Sequence, residues 1–350
     1  MRKATKLSIA AIAGLSFFGF NAINSQQHST TQAYAASSIS SKYNQYLSNV
    51  RVAKAAKQRQ DFYYSNDLQG SWNTRDIGGV TTADGNFSVK PKRLIRGSDL
   101  AKLTKKGAKA AHQLNIKQII DLRESQEIKK AADPGEGVKD SVGLNIPIKN
   151  IPVISLKEKI ATTPAKNKYG EIYRYGYPLA FSKSAVNSYK DIFKAAMNNK
   201  NGAIMYHCIG GRDRTGTVSV LLLSALGVNK RNIYNDYLLS TYYIGLNKGR
   251  QNYVTQINQL NRFYSTIEAK YGNMDNYLHK VIGLSNKDIK KLRANYLTPN
   301  YSKLNQQKEI VKSNLQKWVS TQGSQRRVNK KAYYQSKASL QQLETTFKNF

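Results

Sequence analysis

The chain has a single cysteine, which lies in a ten-residue segment that runs from His207 to Gly216. An apolar run at 203–206 precedes this segment, and a second apolar run at 217–223 follows it. These runs predict a buried strand before the segment and a helix, buried on most sides, after it. A glycine-bearing loop between a strand and a helix directs backbone N–H groups and the positive end of the helix dipole at one spot. That spot suits a phosphate dianion.

The residues of this loop have the chemistry of a phosphate-transfer site. The field that binds an anion also favours ionisation of Cys208, and a thiolate is a nucleophile. Arg214 can bind two phosphate oxygens with its planar guanidinium, Thr215 can hydrogen-bond the thiolate, and His207 is expected to brace the loop. The phosphate-binding candidates are Ile209, Gly210, Gly211, Arg212, Thr215 and Gly216. The pattern predicts a phosphatase that works through a cysteinyl-phosphate.

Cys208 and Arg214, with five residues between them, match the C-x5-R signature of the protein tyrosine phosphatase superfamily. With Gly211 and the run 213–216, the segment resembles the secreted bacterial branch of tyrosine and dual-specificity phosphatases. Some members of that branch also dephosphorylate phosphoinositides. The branch usually has lysine at the position of Arg212. The positive charge is therefore kept, but a compact ammonium group is replaced by a planar guanidinium with several donors.

Further motifs extend the resemblance over residues 60–297, in family order. Segment 72–79 resembles the N-x-R-D-x-G-G motif, and segment 96–100 resembles R-S-x-x-L, with Gly97 as a departure. Segment 119–124 resembles a strand that ends in D-L-R, and segments 236–240 and 283–293 resemble later helices. The resemblance implies supporting roles around the loop for Asn73, Arg75, Asp76, Asp121 and Arg123.

The reaction needs a group that protonates the leaving group and then activates water. Many tyrosine phosphatases use the aspartate of a Trp-Pro-Asp triplet, which this chain lacks. The resemblance implies Asp213, directly before Arg214, as this general acid. Asp76 and Asp121 are the alternatives, although ion pairs with Arg75 and Arg123 are the roles we favour for them. No cofactor or metal is expected, because the four histidines show no ligand spacing.

Alternating helical and strand patterns predict an α/β domain with a central, mostly parallel sheet flanked by helices. Helices are expected at 104–114 and 185–197, strands at 89–95, interrupted by Pro91, and at 116–122, and a loop-rich insertion at 133–170. The expected organisation is a signal peptide at 1–35, an arm at 36–59, a catalytic domain at 60–297 and a basic helical extension at 298–350. Two helices with a break near Gly323 are expected in the extension. They either pack on the catalytic domain or hold the enzyme at an anionic surface.

The formal net charge of +34 is compatible with two interpretations, attraction to polyanions such as an anionic cell wall or lipid surface at an exported location, or a basic surface that is simply solvated. No RNA-binding motif accompanies the charge, so no specific nucleic-acid partner is expected. The expected substrates are phosphotyrosine proteins, with dual specificity, or phosphoinositides and inositol phosphates, for which Arg212 supplies an extra cation. A non-catalytic phosphate- or wall-binding protein is a third alternative, although binding alone needs no nucleophile.

Overall fold

The computed structural model describes residues 68–154, 176–244 and 249–350. The predicted signal peptide at 1–35 and the arm at 36–59 lie outside these residues. Within the described part of the chain, no helix is both long enough and apolar enough to cross a membrane.

A five-stranded sheet forms the centre of the fold, with strand order β1-β3-β6-β4-β5. Strands β3, β6, β4 and β5 run parallel, and β1 is antiparallel to β3 at the edge. The sheet confirms the predicted α/β class and the predicted strand before the cysteine loop. The strands are β1 Arg75–Asp76, β3 Leu94–Gly97, β4 Ile116–Asp121, β5 Ile148–Asn150 and β6 Ala203–His207.

The predicted strand at 89–95 is divided between two sheets, which corrects the expectation of one interrupted strand. Strand β2, Phe87–Val89, pairs with strand β7, Leu297–Pro299, in a separate two-stranded sheet. Between β2 and β3, Pro91 lacks an N–H for a ladder and Lys92 has a left-handed φ of 58°. The chain therefore turns here and enters the main sheet as β3.

Helices cover both faces of the main sheet, as the hydrophobic clusters on its two sides show. One cluster includes Ala108 and Ala111 of α1, and the larger cluster includes buried residues of α4 and α5. The α-helices up to the C-terminal pair are α1 Lys105–Gln113, α2 Ser125–Lys130, α3 Gly176–Phe181, α4 Lys183–Asn198, α5 Asp213–Ala225, α6 Lys230–Ile244, α7 Gly249–Tyr271, α8 Met274–Tyr277 and α9 Asn286–Tyr296. A π-helical turn, Leu278–Ile282, continues directly from α8.

Local sequence signals account for the predicted helices. The hydroxyl of Thr104 accepts a hydrogen bond from the Gly107 N–H at the start of α1, and that of Ser182 accepts from the Ala185 N–H at the start of α4. Both predicted helices are confirmed. The predicted loop-rich insertion at 133–170 is irregular from 133 to 147 but also supplies strand β5 to the sheet, and its part from 155 to 170 lies outside the described residues.

Two long helices, α10 Tyr301–Ser320 and α11 Gly323–Lys348, confirm the predicted pair and the break near Gly323. Their base contacts the β2 sheet, where the ring of Phe87 lies 4.2 Å from Phe350 and 5.7 Å from Phe347. No residue of α10 is buried, and only Ser336 and Leu343 of α11 are. The interpretation of a pair packed on the domain therefore holds at the base alone, and we call α10 and α11 the C-terminal hairpin.

Candidate active site

The cysteine loop joins the end of β6, at His207, to the start of α5, at Asp213. Gly211 adopts a left-handed φ of 61°, and a Cβ atom there would lie 2.3 Å from the carbonyl oxygen of Gly97. Gly97 itself ends β3, where a Cβ would meet the Thr74 hydroxyl at 2.7 Å. Gly97, where the chain departs from the R-S-x-x-L motif, therefore lies at a close contact between β3 and the cysteine loop.

Carbonyl groups of the loop are held on the protein side by donors from two other segments. Asn73 Nδ2 donates to the carbonyls of Gly210 and Gly211 at 3.0 and 2.8 Å. Arg96 Nη2 also donates to the Gly211 carbonyl, at 2.8 Å. In a trans peptide the N–H points opposite to the C=O of the same unit, so the next N–H groups, of Gly211 and Arg212, point away from these donors. The loop thus presents amide hydrogens to an anion.

Two buried arginines and one carboxylate hold these donors in place. Asp236, on α6, pairs with Arg75 Nε at 3.0 Å and with Arg96 Nη1 at 2.7 Å, and all three side chains are at most 2% exposed. Arg75 Nη1 also donates to Asn73 Oδ1 at 2.6 Å, which orients the Asn73 amide toward the loop. The hydroxyl of Ser240 accepts from both arginines. Sequence reasoning misses Asp236 as a site residue, although segment 236–240 resembles a family helix.

The expected ion pair between Arg75 and Asp76 is wrong. The carboxylate of Asp76 accepts hydrogen bonds from the backbone N–H groups of Gly78 and Lys92, at 2.8 and 2.6 Å. Asp76 therefore stabilises the turns that flank β1 and β3. The ion pair between Asp121 and Arg123 is confirmed at 2.7 Å.

Cys208 lies at the bottom of the loop and is 4% exposed. Burial alone raises the pKa of its thiol, but the positive charge of Arg214 and hydrogen bonds from the Thr215 hydroxyl and N–H outweigh it, so the pKa lies below its ordinary value. The Thr215 hydroxyl is buried and has no other hydrogen-bond partner in the described part of the chain, so it is available to the Cys208 thiolate.

Glu127 positions Arg214 and was missed by sequence reasoning. Its carboxylate accepts two hydrogen bonds from the guanidinium, at 2.6 and 3.0 Å, in a bidentate pair. The same carboxylate accepts from the Glu124 N–H at 2.9 Å, in a capping box at the start of α2. A Glu three residues into a helix signalled the cap, but only the folded chain shows its arginine partner.

Asp213 begins α5 and lies beside Arg212 at the rim of the loop. Its two oxygens are 3.1 and 3.2 Å from Arg212 Nε and Nη2. Both side chains keep about a quarter of their surface exposed, at 23% for Asp213 and 27% for Arg212. The structure therefore places the expected acid and the extra cation next to each other, in contact with solvent.

Below the loop, His207 is fully buried among acidic side chains. Its Nε2 lies 3.0 Å from Asp133 Oδ2, and its Nδ1 lies 3.8 Å from Asp121 Oδ1. Burial lowers the pKa of His207, but contact with Asp133 and the charge of Asp121 outweigh that effect and raise it to about 9. An imidazolium braces the loop at neutral pH. Asp133 was not anticipated from the sequence.

The ligand atoms of Asp121, Asp133 and His207 lie within 4.8 Å of one another, which is close enough for a metal site. The Arg123 guanidinium, however, lies 2.7 Å from Asp121 and 3.0 Å from Asp133. With a permanent cation against both carboxylates, this cluster is a buried ion-pair network that supports β4 and β6.

The raised pKa of His207 predicts a pH-dependent contribution to stability. Its folded-state pKa of about 9 exceeds the ordinary 6.5, so the contribution is complete below pH 6.5 and is lost as the pH rises through 9. The loss amounts to about 3 kcal/mol of unfolding free energy. Urea denaturation across this range should show a steeper decline in the wild type than in His207→Gln. Equal declines in both proteins would contradict the assignment.

Residues 66–298 match the model of a family described as "Tyrosine phosphatase family". The triple specificity protein phosphatase PtpB of Mycobacterium tuberculosis is 27% identical over 50% of this chain and 68% of its own length. A tyrosine-protein phosphatase of Nostoc commune is 25% identical over 59% of this chain and 75% of its own, and a putative tyrosine-protein phosphatase of Cupriavidus necator is 26% identical over 64% and 85%. The matched range contains the whole cysteine loop and every residue that braces it, and the chain belongs to the tyrosine phosphatase family.

Proposed function

We propose that this tyrosine phosphatase hydrolyses phosphomonoesters through a cysteinyl-phosphate on Cys208. The observation that carries the proposal is the thiol with a lowered pKa at the bottom of a loop whose amide hydrogens face outward. A thiolate in that position lies under a bound phosphoryl group, in line with the leaving oxygen. The principal substrates are phosphotyrosine proteins, and the named triple specificity of one relative supports a range that extends beyond tyrosine.

In the first step Cys208 Sγ attacks phosphorus, and an S–P bond forms as the bond to the leaving oxygen breaks. Asp213 gives its proton to that oxygen. In the second step water attacks phosphorus, Asp213 takes a proton from the water, and the S–P bond breaks to release inorganic phosphate and the thiolate. The position of Asp213, at the exposed rim beside the loop, supports both roles.

Arg214 stabilises the charge that develops on the transferred phosphoryl group. Glu127 occupies the end of the guanidinium formed by Nη1 and Nη2. The edge formed by Nε and the second Nη2 hydrogen can then donate to two phosphate oxygens. Glu127 thereby fixes the plane of the guanidinium before the substrate binds, which reduces the ordering cost on binding.

Phosphoinositides and soluble inositol phosphates are a second candidate substrate class, and Arg212 is the observation that favours them. Its guanidinium lies at the exposed rim of the loop and carries a charge that does not titrate at neutral pH. A substrate with a second phosphate beside the scissile one would compete with Asp213 for this cation. A binding protein without catalysis is disfavoured, because simple anion capture requires neither the ionised thiol nor the adjacent carboxylate.

We also propose that the enzyme acts outside the cytoplasm. The basic start of the chain, the apolar run at 7–20 and the small residues at 33–35 support export through a cleaved signal. A single cysteine suits such a location, because no second thiol of the chain is present to form an internal disulfide with the nucleophile.

Cys208→Ser is expected to abolish turnover while vanadate and phosphate still bind. The serine hydroxyl stays protonated at neutral pH, so the nucleophile is lost while the loop amides remain. Release of phosphate from para-nitrophenyl phosphate and from phosphotyrosine peptides should fall more than about a thousandfold. Residual activity above that level, with vanadate binding intact, would contradict the assignment of the nucleophile.

Asp213→Asn is expected to slow esters with poor leaving groups far more than para-nitrophenyl phosphate. A nitrophenolate leaves without protonation, whereas the phenolate of tyrosine needs a proton from the acid. The measurement is kcat for a series of aryl phosphates that differ in leaving-group pKa. Equal slowing across the series would remove Asp213 from the acid role and leave it as a partner of Arg212.

A further inference from the structure

The two helices of the C-terminal hairpin meet along a seam that combines apolar side chains with hydrogen bonds from side chains to backbone carbonyls. Gln307 Nε2 donates to the carbonyl of Ser336 at 3.0 Å, and Asn314 Nδ2 donates to that of Ala332 at 3.4 Å. Nearer the turn, Asn329 Nδ2 donates to the carbonyl of Lys317 at 3.3 Å. Rising numbers on α10 pair with falling numbers on α11, so the helices are antiparallel. These contacts also fix which side of each helix faces the other.

One flank of each helix lies beside this seam on the same side of the hairpin. On α10 the residues of this flank follow one another at intervals of four, three and four positions, and on α11 at intervals of four, four and three, so each set lies along one side of its helix. A helix turns in opposite senses when viewed from its two ends, so equivalent flanks of antiparallel helices share one side. We call the two flanks together the basic face, which consists of Lys308, Lys312, Leu315, Val319, Arg326, Lys330, Tyr334 and Lys337.

The basic face combines cations with exposed apolar surface. Five of its eight residues are Lys or Arg, and all five are exposed. Its other residues are exposed as well, with Val319 at 66%, Tyr334 at 51% and Leu315 at 39%. The hairpin's two acids lie outside the face, since Glu309 is on the outer side of α10 and Glu344 is about two turns nearer the base.

Aromatic rings lie next to these cations. The ring of Trp318 is 5.7 Å from that of Tyr334, and Lys330 Nζ is 5.7 Å from the Trp318 ring. Tryptophan and tyrosine have an apolar body and a polar edge, which suits them to the boundary between headgroups and acyl chains. Lysine and arginine attract anionic headgroups, while their apolar stems lie along the boundary.

We infer that the basic face docks the enzyme on a phospholipid bilayer that contains anionic lipids. Charge complementarity accounts for the attraction, and the exposed Leu315, Val319 and Tyr334 distinguish a bilayer from a soluble polyanion, which would need the cations alone. The base of the hairpin is tied to the domain by Phe87 and by Lys303, whose Nζ donates to the Asp84 carbonyl at 2.6 Å. Docking would therefore hold the catalytic domain at the lipid surface.

The test is co-sedimentation of the full chain with vesicles of phosphatidylcholine alone or of phosphatidylcholine mixed with phosphatidylglycerol. We expect binding to the mixed vesicles only. The face variant Lys312→Gln/Lys330→Gln should bind about thirtyfold more weakly. Its matched control, Lys317→Gln/Lys331→Gln, removes the same charge outside the face and should bind within about threefold of the wild type.

A second pair of variants tests the apolar contribution. Leu315→Ser/Val319→Ser on the face should weaken vesicle binding at least about tenfold, whereas Ile310→Ser/Val328→Ser, exposed residues outside the face, should leave it unchanged. Circular dichroism and hydrolysis of para-nitrophenyl phosphate confirm that each variant is folded. Equal losses of vesicle binding in the face variants and in their controls would contradict the assignment of the basic face as the docking surface. A charge-dependent binding that ignores Leu315 and Val319, and that soluble polyphosphate abolishes, would favour an anionic polymer and overturn the bilayer.

Discussion

The arrangement of the site depends on loop carbonyls that face the protein interior. Asn73 and Arg96 donate to the carbonyls of Gly210 and Gly211, and the planarity of the peptide unit then turns the following N–H groups outward. The anion cradle, the stabilised thiolate and the approach of Arg214 all follow from that orientation. An unbraced glycine loop would have no reason to hold this conformation, because glycine populates many.

The brace is itself a buried network of charges. Arg75 and Arg96 share the carboxylate of Asp236, so β1, β3 and α6 meet at one point behind the loop. Removing charges from water is costly, and a buried ion pair contributes little net stability compared with apolar residues of similar size. The network instead fixes the positions of the groups that hold the loop. Each guanidinium has several donors in fixed directions and can bind Asp236 and a loop partner at the same time. The network around Arg123 and His207 serves β4 and β6 in the same way.

The sequence predicted what is local and missed what the fold brings together. The strand, loop and helix around Cys208, and the pair of Asp121 with Arg123, lie within short segments. Side chains two residues apart at the end of a strand point to the same side, so Asp121 and Arg123 can form an ion pair. Adjacent residues such as Arg75 and Asp76 point to opposite sides of β1 and cannot pair in the same way. Asp236 lies 161 positions from Arg75, and Glu127 lies 87 from Arg214, so no local pattern connects them.

The most direct test of the central claim is the phosphate affinity of Asn73→Gly. Asn73 has a left-handed φ of 52°, so glycine keeps the backbone and removes only the amide that holds the loop carbonyls. The affinity can be measured as protection of Cys208 from iodoacetamide by phosphate, with circular dichroism to confirm the fold. We predict that the phosphate concentration for half-protection rises at least about tenfold, since two loop carbonyls lose a donor and one of them is buried. An unchanged affinity in the folded variant would show that the loop keeps its conformation without Asn73 and would contradict this account.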